Sequence, residues 1–307
     1  MLKNKLLVIT GPTATGKTRL AALVADKMDG EIISADSRQV YRGMDIGSGK
    51  DIDDYYVDNK LIPYHLIDIL NAGEEYNVFQ FQRDFFQKFD EIKSRNKLAI
   101  LCGGTGMYIE SVLGNYSFLE VPVNEDFRNS LKDLSLLQLQ NRLSDRKSLH
   151  NTTDLLDRER CIRALEIAEY KKNFPQNIHK PEFEYQIFAI DFEREIIRKR
   201  ITERLKFRLD NGMITEIENL LNSGLSIEQL KFYGLEYRYI TMYVNKEITY
   251  FEMFRLLNIA IHQFAKRQMT WFRRMEKKGI KINWIDGNLS ETEKLNLIIA
   301  EFNKNVR

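Results

Sequence analysis

The segment that most constrains the fold of this chain is the octapeptide GPTATGKT at residues 11–18. It matches the pattern G-x-x-x-x-G-K-S/T in full. An apolar, β-branched run precedes it at residues 5–10 (KLLVIT), and helical apolar spacing follows it over residues 18–29. A buried strand, a glycine turn and a helix in this order are typical of a loop that surrounds a phosphate. The sequence therefore predicts a parallel α/β sheet with an anion site after its first strand.

Each residue type in this phosphate loop has a chemical task. The glycines let the backbone wrap around an anion, and the helix N-terminus adds partial positive charge. Lys17 adds a full charge, and the hydroxyl of Thr18 is able to bind a magnesium ion. A nucleoside triphosphate is the common ligand of such a loop, but any diphosphate would satisfy the same groups. The residues predicted to bind the phosphates are Gly11, Pro12, Thr13, Ala14, Thr15, Gly16, Lys17 and Thr18.

Two further glycine or acidic turns are predicted at the same edge of the sheet. Residues 31–35 and 98–102 are short strand candidates, and residues 79–94 between them have helical spacing. Asp36 follows the second strand, where it could act as a base, as a magnesium partner or as a solvated turn residue. The third strand ends in the turn Gly-Gly-Thr-Gly, in which Thr105 is expected to face the site. Three strand ends that meet in one crevice are the default active site.

The pattern changes after the third strand. Residues 124–170 have helical periodicity over almost their whole length, whereas residues 185–191 return to strand character. Further helices are predicted at 194–212, 215–223, 250–278 and 291–302, with a strand at 281–285. We therefore predict an α/β fold, in which a P-loop NTPase-like parallel sheet flanked by helices (residues 1–120 and 184–307) is interrupted by an all-helical insertion domain (residues 121–183).

Composition and charge exclude only broad classes of protein. The 46 Lys and Arg residues nearly balance the 44 Asp and Glu residues, which argues against a protein that coats nucleic acid but leaves room for a local basic patch. The chain has no uninterrupted run of about 18 apolar residues, so no membrane span is expected. The two cysteines, Cys102 and Cys161, are too few for a zinc cluster. We expect a cytoplasmic protein.

Several segments, in this order and spacing, resemble the tRNA dimethylallyltransferases, also called tRNA isopentenyltransferases. They are GPTATGKT (11–18), ADSRQVYRGMDIGSGK (35–50), PYHLIDI (63–69), LCGGTGMY (101–108), RERCIRALE (158–166), YR (237–238) and KRQMTWFR (266–273). The resemblance implies a bacterial-type P-loop prenyltransferase that transfers a dimethylallyl group from dimethylallyl diphosphate to N6 of adenosine 37 in tRNA. It further implies Mg²⁺ as cofactor, the anticodon stem-loop as partner and a monomeric enzyme.

The resemblance also implies roles for single residues. Asp36 would be the catalytic base near the adenine amine, while Lys17 and Thr18 stabilise the departing diphosphate. Arg238 matches an arginine that serves the diphosphate, although Glu236 stands where the family usually has glycine. The residues implied to contact tRNA are Asp36, Ser37, Arg38, Gln39, Thr105, Arg128, Arg160, Arg163, Lys266, Arg267 and Arg273.

Other segments leave two interpretations open. Asp68 could hold magnesium through water or cap a turn. The sequence SGKD at residues 48–51 stands where the family more usually has Thr-Ala-Lys-Pro, and Lys50 remains a candidate site residue. Residues 262–281 combine many basic residues with aromatic ones, which favours an RNA contact. The basic run at residues 194–208 is better explained as a solvated helix face.

Three other functions are compatible with parts of the sequence. An adenylate isopentenyltransferase would prenylate free AMP, ADP or ATP with the same core chemistry. A P-loop kinase or NTPase would share the phosphate loop, and a non-catalytic RNA-binding module would share the basic segments. The helical insertion and the basic C-terminal segment favour tRNA as the acceptor, since a mononucleotide needs neither.

Overall fold

A computed structural model of the chain describes residues 4–114, 121–144, 155, 157–173 and 182–304. The strands in this part are β1 (Lys5–Thr10), β2 (Gly30–Ser34), β3 (Tyr41–Arg42), β4 (Tyr56–Val57), β5 (Lys60–Leu61), β6 (Tyr64–His65), β7 (Leu70–Asn71), β8 (Leu98–Gly103), β9 (Glu184–Asp191) and β10 (Ile282–Asp286). The helices are α1 (Lys17–Lys27), α2 (Val78–Ser94), α3 (Gly106–Leu113), α4 (Glu125–Ser130), α5 (Leu136–Ser144), α6 (Arg158–Asn173), α7 (Arg194–Asp210), α8 (Met213–Asn222), α9 (Ile227–Phe232), α10 (Leu235–Val244), α11 (Tyr250–Lys277) and α12 (Glu291–Lys304), with a 3₁₀ turn at Ile52–Tyr55.

The chain divides into two compact units. The first comprises Met1–Tyr116 and Pro181–Arg307, and the second comprises Ser117–Lys180. None of the helices in the described ranges is both long and apolar enough to cross a membrane.

A six-stranded parallel sheet forms the centre of the first unit, in the order β10-β9-β1-β8-β2-β6. It confirms the predicted parallel α/β core. Thr10 lies opposite Gly103, and Ser34 lies opposite Cys102, so β1, β8 and β2 end at nearly the same level. The loops that follow these three strands therefore start side by side. The edge strand β6 was not predicted, because a two-residue strand leaves no periodicity to detect.

Helices cover both faces of this sheet, which explains the continuous apolar runs in its strands. Leu7 and Ile9 of β1 face a cluster that includes residues of α1 and α12. Leu6 and Val8 face the opposite cluster, with residues of α2, α3 and the C-terminal part of α11. Both clusters are buried, so β1 and the phosphate loop after it rest on packed side chains.

A third apolar cluster joins helices α7 to α11 to the segment after β2. Its members include Ile201 and Leu205 of α7, Tyr237 of α10 and Leu257 of α11, together with Met44. The helices predicted over 194–212, 215–223 and 250–278 are confirmed, with ends that differ by one or two residues. α9 and α10 were not predicted, because short helices carry few turns of apolar spacing.

The regular secondary structure that is described in the second unit is helical. Helices α4, α5 and α6 pack around a small apolar core, whose buried members are Leu131, Leu139, Leu143, Cys161, Ile162 and Leu165. The predicted helical region also included residues 145–154 and 156, which lie outside the described residues.

Candidate active site

The phosphate loop makes a tight turn between β1 and α1. Gly11 has a φ of 145°, and a Cβ atom at this position would lie 2.7 Å from the carbonyl oxygen of Ile190, so the backbone leaves no room for a side chain. The hydroxyl of Thr15 donates a hydrogen bond to the carbonyl of Pro12 at 2.9 Å and closes the turn. Gly16, in the left-handed conformation with φ 79°, is the N-cap residue that precedes α1. The segment has the strand, turn and helix context that the sequence predicted.

Lys17 points back over this loop. Its Nζ donates to the carbonyl of Pro12 at 3.3 Å. Burial lowers the pKa of the Lys17 ammonium, the positive charge of Arg204 lowers it further, and the negative charge of Asp36 raises it. The ammonium of Lys17 has no carboxylate partner in a described hydrogen bond, so it can bind an incoming anion. A phosphate bound beside it would raise its pKa again, because a nearby negative charge favours the charged ammonium.

The turns after β2 and β8 are hydrogen bonded to each other. The backbone N–H of Ser37 donates to Thr105 Oγ1 at 3.2 Å, and the N–H of Thr105 donates to the carbonyl of Ala35 at 3.2 Å. Asp36 Oδ1 accepts a hydrogen bond from the N–H of Arg38 at 2.9 Å, which fixes its carboxylate in a local turn. The structure thus brings together Asp36 and Thr105, two residues that the sequence predicted at this edge.

Two other predicted tRNA contacts in this turn have different surroundings. Gln39 is buried, accepts a hydrogen bond from Ser34 Oγ at 3.0 Å and donates one to the carbonyl of Gly49 at 3.2 Å. The side chain of Arg38 lies beside Gly234, with Nε 3.2 Å from the position that a Cβ would take there. Gln39 therefore supports the turn from inside, while Arg38 reaches toward the start of α10.

Lys50 and Asp68 form an ion pair in which the ammonium is buried and the carboxylate is partly exposed. The ammonium of Lys50 donates to Asp68 Oδ1, to Asp45 Oδ1 at 2.6 Å and to the carbonyl of Tyr41 at 2.9 Å. The lysine side chain is almost completely buried. Both residues therefore connect the segment after β2 to the segment before β7. A water-mediated magnesium contact by Asp68 stays a prediction.

Helix α7 contributes arginines to the phosphate loop. Arg200 Nε donates to the carbonyl of Ala14 at 2.7 Å, and one terminal nitrogen of Arg204 lies 3.4 Å from Thr13 Oγ1. The interpretation of the basic run at residues 194–208 as a solvated helix face is therefore wrong for Arg200 and Arg204. Residues 200, 204 and 208 are four apart, so their side chains line up along one face of the helix.

Two carboxylates accompany these arginines. Asp51 accepts hydrogen bonds from Arg204 and Arg208. Burial by itself raises the pKa of the Asp51 carboxyl, but the charges of the two arginines outweigh burial and hold that pKa below its usual value. Burial raises the pKa of the Glu236 carboxyl. The positive charges of Arg208 and Arg204 lower this pKa, and the negative charge of Asp36 raises it. The glutamate that departs from the family pattern thus lies within electrostatic range of this arginine pair.

Arg238 lies in a different environment from Glu236. It is exposed, and its Nε donates to the carbonyl of Lys231 at 3.3 Å. Glu236 and Tyr237 precede it in the first turn of α10, and Tyr237 is buried and donates to Glu216 Oε1 at 2.8 Å. The assignment of Arg238 to the diphosphate stays a prediction, and the arginines that contact the loop in the structure, Arg200 and Arg204, belong to α7.

Gln268 on α11 is a site residue that the sequence analysis missed. It is buried, and its side-chain amide bonds to both glycine turns. A Cβ at Gly104 would lie 2.4 Å from Gln268 Nε2, so the glycine is needed for this approach. A signal was present: position 268 falls at helical spacing with the buried Ala265, Phe272 and Met275, and a buried amide requires hydrogen-bond partners.

The basic segment of α11 divides into exposed and paired cations. Lys266, Arg267 and Arg273 are exposed. Arg274 instead donates to Glu110 Oε2 at 3.0 Å, and its guanidinium carbon lies 3.9 Å from the centroid of the Trp271 ring. The three predicted tRNA contacts therefore present their charges to solvent.

In the second unit, two predicted tRNA contacts converge on one buried carboxylate. Arg128 donates two hydrogen bonds to Glu166, each of 3.1 Å, and Arg163 donates to Glu166 Oε2. Burial alone would raise the pKa of the Glu166 carboxyl, but these hydrogen bonds and one from the N–H of Asn124 lower it from 4.5 to about 2. Arg160 is exposed on the same helix. Arg128 and Arg163 thus stabilise this unit through their hydrogen bonds to Glu166.

The residues at the phosphate loop fit a magnesium ion that keeps most of its water. In the described ranges, no group of three or more His, Cys, Asp or Glu side chains is arranged to hold a metal. Thr18 offers a hydroxyl in the first turn of α1, and the charge of Asp36 acts on the adjacent Lys17. Mg²⁺ typically takes few protein oxygens and several oxygens from phosphate and water, which this donor set allows.

Two family models match the chain. One, described as IPP transferase, covers residues 39–275, and another, described as isopentenyl transferase, covers residues 4–62. The tRNA dimethylallyltransferase 2 of Phocaeicola vulgatus is 53% identical over 300 residues, which is 97% of this chain and 98% of the relative. The tRNA dimethylallyltransferase 1 of Parabacteroides distasonis is 51% identical over 296 residues, which is 96% of each chain.

A solved structure agrees with these relatives. The crystal structure of tRNA delta(2)-isopentenylpyrophosphate transferase from Staphylococcus epidermidis matches this fold with a TM-score of 0.71 at 29% identity. The match covers 98% of this chain and 99% of that one.

Proposed function

Because this chain belongs to the IPP transferase family of tRNA dimethylallyltransferases, we propose that it transfers the dimethylallyl group of dimethylallyl diphosphate to N6 of adenosine 37 in tRNA and releases diphosphate. The observation that carries the proposal is the linkage of the Asp36 turn to the Thr105 turn beside the phosphate loop. An anion site and a carboxylate at one edge of the sheet suit a reaction that expels diphosphate and removes a proton.

The phosphate loop and its cations are proposed to hold the donor. The bond between the prenyl carbon and the diphosphate oxygen breaks, and its electron pair leaves with the diphosphate. The contacts of Lys17 and Arg204 with the loop, and the backbone N–H groups at the start of α1, support the proposal that this negative charge grows beside them. Groups fixed in this way stabilise the developing charge without having to reorganise. Thr18 would hold Mg²⁺, which supplies further neutralisation of the diphosphate.

Asp36 is proposed to be the general base. N6 of the adenine forms a bond to the prenyl carbon, and its proton passes to the carboxylate of Asp36. The hydrogen bond from the N–H of Arg38 occupies Asp36 Oδ1 and so fixes the direction of the carboxylate. A positioned base of this kind typically contributes about 10²–10⁴-fold to a rate.

The acceptor is proposed to be the anticodon stem-loop of a tRNA in the cytoplasm, bound by a monomer. The target base must leave the anticodon stack, which costs a few kcal/mol and less in a loop than in a duplex. Three cationic side chains of α11 are exposed: Lys266, Arg267 and Arg273. Their contacts with tRNA phosphates would offset the cost of moving the base out of the stack. Arg160 is a further candidate contact on the second unit.

The experiment offers the purified protein, magnesium and labelled dimethylallyl diphosphate three acceptors: an anticodon stem-loop RNA, AMP and ATP. We expect label in the stem-loop that has adenosine at position 37, and no label when guanosine replaces it. Label only in AMP would identify an adenylate isopentenyltransferase instead. ATP turnover without prenyl transfer would identify a kinase or NTPase, and RNA binding without any transfer would leave a binding module.

A further inference from the structure

We propose that Asp51 and Arg208 are positioning residues for the donor, because together they hold the guanidinium of Arg204 on the phosphate loop. This inference rests on the proposed function, since it names the diphosphate as the anion that Arg204 meets. Neither Asp51 nor Arg208 touches the loop itself in the described contacts. Their effect would pass through Arg204.

The geometry of the three side chains supports an indirect role. Asp51 Oδ2 accepts a hydrogen bond from Arg204 at 2.6 Å and another from Arg208 at 3.0 Å, so one oxygen joins the two guanidinium groups. The other terminal nitrogen of Arg204 lies 3.4 Å from Thr13 Oγ1. The two ends of one guanidinium thus contact Asp51 and the phosphate loop.

Arg208 is the fixed member of this group. Its side chain is 12% exposed, compared with 33% for Arg204 and 45% for Asp51. Its guanidinium packs on the backbone of Gly49, where a Cβ would lie 2.6 Å from its terminal nitrogen. Arg208 therefore anchors Asp51, and Asp51 directs Arg204.

Charge explains why the carboxylate is needed. Arg204 and Arg208 carry the same charge and lie near Lys17, whose pKa both arginines lower in addition to the larger effect of burial. Without a carboxylate between them, two partly desolvated guanidinium groups would repel each other and separate. Asp51 precedes the 3₁₀ turn at Ile52–Tyr55, yet its side chain makes no hydrogen bond to cap that turn. Its carboxylate bonds to the arginines instead.

The test measures binding of dimethylallyl diphosphate and of tRNA to four proteins by isothermal titration calorimetry. They are the wild type, Asp51→Asn, Arg208→Met and the double variant. Removal of a charge-assisted hydrogen bond predicts that Asp51→Asn raises the Kd for the donor about tenfold and leaves the Kd for tRNA unchanged. The double variant should have the donor Kd of Asp51→Asn, because both residues act through one contact.

Asp29→Asn is the matched control, since its carboxylate pairs with Lys97 at the opposite edge of the sheet, where β2 and β8 begin. It should leave both Kd values unchanged. Thermal unfolding shows whether each variant is folded. If Asp51→Asn does not fold, Arg208→Lys decides the question, because lysine keeps the charge but loses the fork geometry, and we again expect a weaker donor Kd.

Two results would overturn the inference. One is an unchanged or tighter donor Kd in folded Asp51→Asn and Arg208→Lys, which would mean that repulsion of the diphosphate by Asp51 outweighs positioning. The other is an additive loss in the double variant, or an equal loss of tRNA affinity. Failure of the proposed function has a different signature, because the wild type itself would then transfer no dimethylallyl group to the stem-loop RNA, whatever the Kd values of the variants.

Discussion

The side-chain oxygen of Gln268 accepts a hydrogen bond from the backbone N–H of Thr13 at 2.9 Å. The same amide donates from Nε2 to the carbonyl of Gly104 at 2.9 Å. One buried side chain on α11 therefore fixes the distance between the phosphate loop and the turn that precedes α3. The helix that carries it also presents the exposed Lys266 and Arg267.

Replacing Gln268 with Glu should impair donor use. A carboxylate can still accept the hydrogen bond from the N–H of Thr13, but it cannot donate one to the carbonyl of Gly104. Its second oxygen would instead lie against that carbonyl oxygen. We expect kcat/KM for dimethylallyl diphosphate to fall about tenfold or more, with a loss of stability of about 1–3 kcal/mol. Gln263→Glu, at an exposed position on the same helix, is the control. Wild-type kinetics in Gln268→Glu would show that the bridge is dispensable.

Asp36→Ala should nearly abolish transfer while tRNA still binds. Loss of a positioned base predicts a decrease in kcat of about 10²–10⁴-fold. Single-turnover transfer and tRNA binding by filter retention measure the two properties separately. Asp210→Ala, at an exposed carboxylate that ends α7, should match the wild type. Near-normal turnover of Asp36→Ala would remove Asp36 from the mechanism.

Neutralising the exposed cations of α11 should weaken tRNA binding and flatten its salt dependence. For single-stranded RNA, removing one cation that neutralises a phosphate lowers the slope of log K against log salt by about 0.7. The triple variant Lys266→Gln, Arg267→Gln, Arg273→Gln should therefore have a slope that is shallower by about 2. Lys27→Gln, at the exposed end of α1, should change nothing. An unaltered slope in the triple variant means that tRNA binds elsewhere.

Glu166 should make the second unit sensitive to acid. Its carboxyl has a pKa of about 2 in the folded chain, below the ordinary 4.5, so its stabilisation is complete above the unfolded value and is lost as pH falls through this range. At pH 7 we expect Glu166→Gln to lower the free energy of unfolding by about 2 kcal/mol. The difference from the wild type should shrink between pH 5 and pH 3. A difference independent of pH in urea unfolding would exclude this ion-pair explanation.

The sequence predicted the core of the fold well, and physical reasons explain its limits. Strands β1, β8 and β9 are buried on both faces, so their apolar runs are evident without any tertiary information. Strand β6 and helices α9 and α10 are short, and their formation depends on the neighbours they pack against. Periodicity alone does not contain that information.

In the candidate site too, some residues could be predicted from the sequence and others could not. The phosphate loop and Asp36 were predictable, because a local pattern places them at strand ends. The roles of Arg204, Asp51 and Gln268 depend on contacts between residues far apart in the chain. A run of basic residues does not reveal which of its faces is solvated, so the α7 arginines were misjudged. The departure at Glu236 was visible, but its proximity to Arg208 was not.

The most direct test of the proposed reaction locates the transferred group. Purified protein, Mg²⁺ and dimethylallyl diphosphate are incubated with an unmodified tRNA, which is then digested and analysed by mass spectrometry, with released diphosphate counted in parallel. We predict one dimethylallyl group on N6 of adenosine 37 for each diphosphate released, and almost none with Asp36→Ala. Modification at another nucleotide, or diphosphate release without any modified adenosine, would contradict the proposal.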